Sequence, residues 1–145
     1  SDKNYLFLTV EEFKKSIQDE KFLEWAEYGG NYYGTLLSEI EPLLAAGKFV
    51  LKELEVQGAR QIQGKLPADE LTIIFVNAGS WSEMVARIKK RADMPDEELL
   101  KRKERYEDET SFMHDADHVV ENPDGRADDA KATFAEIVRE IIVND

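Results

Sequence analysis

The chain has 145 residues, a length that suits one domain with a sizeable core, and contains no cysteine. Disulfides, thiolate metal cages and thiol catalysis are therefore excluded. Its formal charge of −12 speaks against a broad nucleic-acid coat or an anionic membrane surface as partner, although a local anion site remains open. No apolar run approaches the roughly 18 residues of a membrane span, and no secretion pattern opens the chain, so a cytoplasmic location is expected.

In chain order, Tyr5 to Leu8 is a short β-favouring run, and Thr9 with Glu12 three residues later predicts a capping box and a helix to Asp19. Phe22 to Tyr28, the turn Gly29-Gly30-Asn31 and Tyr32-Tyr33-Gly34 predict a hairpin. Leu36 to Ala46 has helical spacing and stops at Gly47, Phe49 to Val56 reads as a strand, and a short helix is expected over Gln57 to Gly64. Leu71 to Val76 is apolar on both faces, as in a buried parallel strand, and Ser80 with Glu83 opens another helix. Met94-Pro95 interrupts it, a charged helix runs from Asp96 to Phe112, His118 to Val120 forms a last strand, and Ala127 to Val143 closes as a helix. The class is α/β.

Three clusters carry candidate chemistry. Between Arg87 and Arg105 lie eight basic residues against five acidic ones in an otherwise acidic chain, and Arg87 and Arg91 are four apart on one helix. Their repulsion there would be relieved by a bound anion, and the planar guanidinium fork suits phosphate; a solvated face of helical ion pairs is the plainer alternative. In the hairpin, strand alternation sends Glu24, Ala26 and Tyr28 to one face, placing a carboxylate among aromatics with Thr35 near by, which could equally be cross-strand packing. Glu53 and Glu55 end a predicted strand, where α/β sheets bind ligands, or are simply exposed acids. His114-Asp115-Ala116-Asp117-His118 lacks a zinc motif and reads as a polar turn.

The run from Phe22 to Thr35, with Gly47-Lys48 and Glu53-Leu54-Glu55-Val56-Gln57-Gly58, resembles guanylate kinase in order and spacing. Asn4 to Thr9 resembles the family's entry into its GMP-binding region, and Arg87, Arg91 and Arg102 its lid and the following helix. The resemblance implies transfer of the γ-phosphoryl of ATP to GMP with Mg²⁺. It implies that Tyr5 and Tyr33 bind the GMP phosphate, that Glu24, Thr35 and Glu55 read the guanine, and that Arg87, Arg91 and Arg102 close on the moving phosphoryl. Glu53 would stand near magnesium waters and Asn122 near the adenine of ATP. The implied layout is a GMP-binding subdomain over about residues 1–47, a core over 48–86 and 103–145, and a lid over about 87–102.

There are departures from the family pattern. Glu53 and Glu55 replace frequent Asp, Ala92-Asp93-Met94 replaces a glycine-rich hinge, and Ala78-Gly79-Ser80-Trp81 replaces a Pro-rich turn. The sequence also spells no G-x-x-x-x-G-K-[ST]. From this, the expectation is a P-loop kinase-like parallel sheet flanked by helices, with a small mixed β-hairpin subdomain, whose first strand and phosphate loop are missing. Phe49 to Val56 would then have open edges through which copies of the chain could associate, and the 145 residues alone would lack turnover. The alternatives are a catalytically silent guanylate-kinase-like binding module and an acidic interaction domain with no nucleotide site.

Overall fold

A computed structural model describes residues 6–91 and 94–144. The chain divides into two compact units, Ser1–Ala68 and Asp69–Asp145. Tyr5 lies outside the described residues, as do Ala92 and Asp93 of the expected hinge.

The first unit begins with α1 (Val10–Gln18), whose capping box is complete. The Glu12 backbone amide donates to Thr9 Oγ1 at 3.2 Å, and the Thr9 amide donates back to Glu12 Oε2 at 2.8 Å. The hairpin follows as β1 (Phe22–Tyr28) and β2 (Asn31–Leu36), antiparallel, turning at Gly29 and Gly30 with φ of 59° and 77°. Only glycine enters that region at little steric cost. Next come α2 (Leu37–Ala45) and α3 (Val56–Gln63).

Within the hairpin, Phe22 opposes Leu36 while Glu24 opposes Thr35, so the register slips between Phe22 and Glu24. Two residues on β1 thus advance against one on β2, the signature of a β-bulge. Directly opposed residues share a face, so Phe22 is turned to the face of Trp25 and Tyr32, while Glu24 shares its face with Thr35, Ala26 and Tyr33. Phe13 of α1 covers the apolar face, stacked on Phe22 at 4.3 Å between ring centroids and tilted on Tyr32 at 5.3 Å. The bulge therefore separates a packing face from a polar one.

The predicted strand from Phe49 to Val56 does not form: residues 48–55 have no regular structure, and Val56 already begins α3. Its β-favouring composition describes residues fit for a pleated surface, yet no neighbouring strand pairs with it among the described residues. The edges on which self-association was expected are thus not formed by this segment.

The second unit contains β3 (Ile74–Asn77), α4 (Trp81–Arg91), α5 (Asp96–Phe112), a 3₁₀ turn at Met113–Asp115, β4 (His118–Glu121) and α6 (Ala127–Asn144). β3 and β4 pair in parallel, Ile74 opposite His118 through Asn77 opposite Glu121, with α4 and α5 in the connection as parallel pairing requires. Leu71 to Ile73 stay outside the strand, although Ile73 accepts the His118 amide and donates its own amide to Asp117 Oδ2 at 2.7 Å. Asp117 of the polar turn thus pins the start of the ladder. Val120 is 1% exposed, and with Phe112 and Ala130 it forms the buried core of this unit. The expected parallel sheet is two-stranded among the described residues.

Candidate functional site

In the first unit, a cavity of about 680 Å³ opens beside the polar face of the hairpin. That is within the size range of small-molecule sites. Glu24, Tyr33, Thr35, Glu53 and Glu55 all line it, so five of the residues singled out from the sequence meet at one cavity. Glu24 is only 7% exposed and Thr35 2%. Thr35 Oγ1 donates to Glu24 Oε1 at 2.5 Å. A carboxyl group removed from water needs such a donor. Tyr33 is half exposed at the rim, and Glu53 and Glu55 are exposed in the segment leading to α3.

Gly58 and Gln61 of α3, and Lys65 just past its end, hold this arrangement, and none of the three was given a role from the sequence. Gln61 clamps β1 on both sides of Trp25: its Oε1 accepts the Trp25 amide at 3.1 Å and its Nε2 donates to the Trp25 carbonyl at 2.7 Å. Lys65 Nζ donates to the carbonyls of Phe22 and Leu23 at 2.7 and 3.0 Å. These side chains take the place of a third strand on the open edge of β1. Gly58 is buried against Glu24, where a Cβ would meet Oε2 at 2.9 Å. The signal was available, since positions 58, 61, 62 and 65 share one helical face and Ile62 is buried.

The second unit carries the other candidates. Arg87 of α4 folds back on the β3–α4 loop, where its Nη2 donates to the Ala78 carbonyl, and its Nε is buried without a hydrogen-bond partner. The loop is further tied by Asn77 Oδ1, which accepts the Gly79 amide at 3.1 Å, by Asn77 Nδ2 donating to Glu121 at 2.9 Å and by Tyr106 Oη donating to the Gly79 carbonyl at 3.2 Å. Gly79 has a φ of 99°, which asks for glycine. Ser80 Oγ donates to Glu83 Oε2 at 2.7 Å, and the Ser80 amide donates to the same oxygen at 2.7 Å. These two bonds, and then the positive charge of Arg87, hold the Glu83 carboxyl below its ordinary value.

Arg91 belongs to α4. Arg102 pairs with Glu98 at 3.3 Å on α5, flanked by Lys101–Glu97 and Lys103–Glu107 pairs, all four residues apart. On α5 the charge pattern is therefore the plain one, a solvated face of helical ion pairs. Asn122 follows β4, its amide donating to the Asn77 carbonyl at 2.8 Å.

The chain is an α/β protein with a parallel pair joined through helices and a separate hairpin whose buried carboxylate and hydroxyl face a cavity of small-ligand size. The family model described as guanylate kinase matches residues 1–141, and the chain belongs to that family. It is 36% identical over 140 residues to the guanylate kinase of Rubrobacter xylanophilus, covering 97% of this chain and 71% of the relative. It is 43% identical over 119 residues to that of Bacillus subtilis, covering 82% of this chain and 57% of the relative. The crystal structure of guanylate kinase from Anaplasma phagocytophilum superposes with a TM-score of 0.66 at 24% identity, over 97% of this chain and 66% of that one, which shows the fold.

The chain thus spans between 57% and 71% of the length of these relatives. The match from residue 1 to residue 141 corrects one expectation, that of a domain whose first strand and phosphate loop have been removed.

Proposed function

We propose that the protein transfers the γ-phosphoryl of ATP to GMP, giving ADP and GDP. Family membership supports the reaction class, and the single observation that carries the substrate is the buried Glu24–Thr35 pair facing the cavity of the first unit. Guanine presents two adjacent donors, N1–H and the 2-amino group, to an ionised carboxylate. Adenine presents an acceptor at N1, so the same carboxylate would be left buried and unpaired, at a cost large enough for strong discrimination. Thr35 holds the carboxylate by one oxygen and leaves the other for the base. Glu55 adds a second acceptor at the cavity, and the Tyr33 hydroxyl at the rim is a donor suited to the GMP phosphate, a role we also assign to Tyr5.

Arg87, Arg91 and Arg102 are proposed to meet the transferring phosphoryl, whose equatorial oxygens carry the developing charge. For this, Arg87 gives up its bond to the Ala78 carbonyl and Arg102 its exposed pair with Glu98, both inexpensive next to a phosphate contact. Asn122 is proposed for the adenine of ATP. Glu53, an exposed oxygen donor at the cavity, fits Mg²⁺ through its waters, since that ion prefers oxygen and keeps part of its water shell beside substrate phosphates. Bound there, Mg²⁺ neutralises phosphate charge. The layout of a GMP-binding part over about 1–47, a lid over about 87–102 and a core over the remainder belongs to the same proposal.

The test is equilibrium dialysis of the protein with GMP, IMP and AMP at equal ionic strength. The expected order of affinity is GMP, then IMP, which lacks the 2-amino group, then AMP. Binding of AMP as tight as that of GMP would remove the guanine reading.

A further inference from the structure

Gly58 is the third residue of α3, and within a helix glycine is a poorer former than alanine. Nothing in its backbone asks for glycine, because its φ lies on the helical side. What asks for it is Glu24: a Cβ on residue 58 would lie 2.9 Å from Oε2 and 3.5 Å from both Cδ and Cγ. The conflict is with the end of a side chain, which could ordinarily swing aside. Here it has little freedom, since Oε1 is held by Thr35 and the residue is 7% exposed. Nor can the helix slide away, because Gln61 of α3 grips the Trp25 backbone and Lys65, just past the end of α3, the Phe22 and Leu23 carbonyls.

We infer that Gly58 is a specificity-determining positioning residue: its missing side chain seats the Glu24 carboxylate in the one orientation that offers a free oxygen to the base edge of the bound nucleotide. This deepens the guanine reading and rests on it. Selectivity would then be set partly from α3, by a residue that lines the cavity without a side chain.

Calorimetric titration of GMP and AMP into the parent, Gly58→Ala, Glu24→Asp and the double variant tests this, with thermal unfolding of each. Gly58→Ala is expected to lower the GMP-to-AMP affinity ratio about tenfold in a protein that still folds, with an unfolding temperature lowered in the parent background and lowered less beside Glu24→Asp, where the carboxylate is drawn back. In the Glu24→Asp background the carboxylate is drawn back by one methylene, so adding Gly58→Ala should change the ratio less than about twofold, a coupling that a purely structural role would not produce. A parent that does not prefer GMP overturns the guanine reading and this inference together. A selective parent with an equally selective Gly58→Ala overturns the inference alone. Loss of folding by Gly58→Ala in both backgrounds also overturns it, because the space at residue 58 would then serve the helix rather than Glu24.

Discussion

A buried carboxylate is expensive unless a donor meets it, and at Glu24 that donor is the Thr35 hydroxyl. Thr35→Val keeps the shape and removes the donor. It is expected to destabilise the fold by about 1 to 3 kcal/mol, the cost of leaving a buried acceptor unpaired, and to weaken GMP about tenfold. Urea unfolding beside a GMP titration checks both, and unchanged values would detach Thr35 from the site. The pairing of Glu24 with Thr35 was partly legible, since alternation places Glu24 with Ala26 and Tyr28 on one face. The bulge that turns Phe22 to the opposite face was not, because an extra residue in one strand leaves no mark in composition. The spacing of Gly58, Gln61 and Lys65 marks a shared face, but their partners lie on β1, more than 30 residues earlier, and spacing alone does not name so distant a partner.

Among the elements, helix starts were the most readable, because a capping box is complete within four residues. Both Thr9 with Glu12 and Ser80 with Glu83 form as their spacing predicts. The strand expected from Phe49 to Val56 shows the converse, since a strand exists only where a neighbour pairs with it. The Ser80–Glu83 contact also has a pH consequence. Its hydrogen bonds hold the Glu83 carboxyl below the ordinary glutamate value, so its contribution is full above that value and is lost as pH falls through the lowered one. Ser80→Ala is expected to cost about 1 kcal/mol, the usual worth of an N-cap hydroxyl. It should also bring the Glu83 titration back up toward the ordinary range. A carboxyl titration followed by NMR that shows no upward movement would contradict that assignment.

For the whole molecule, the net charge of −12 opposes the approach of a nucleotide dianion at long range. Salt screens that repulsion over a length of about 10 Å at 0.1 M, so the association rate for GMP is expected to rise modestly as ionic strength increases from low values. Stopped-flow traces at several salt concentrations measure it. A rate that falls with salt would mean that a local basic field, such as the Arg87 to Arg105 segment supplies, governs the encounter. Among the described residues no helix is long and apolar enough to cross a membrane, in line with the sequence.

The proposed reading of guanine rests on the Glu24–Thr35 pair. Its most direct measurement is NMR of protein carrying ¹³C-labelled glutamate, titrated with GMP and then with AMP. Saturating GMP is expected to move the Glu24 carboxyl resonance and the Thr35 amide, while AMP at the same concentration leaves both in place. GMP binding that leaves them unmoved, or an equal response to AMP, would contradict the account.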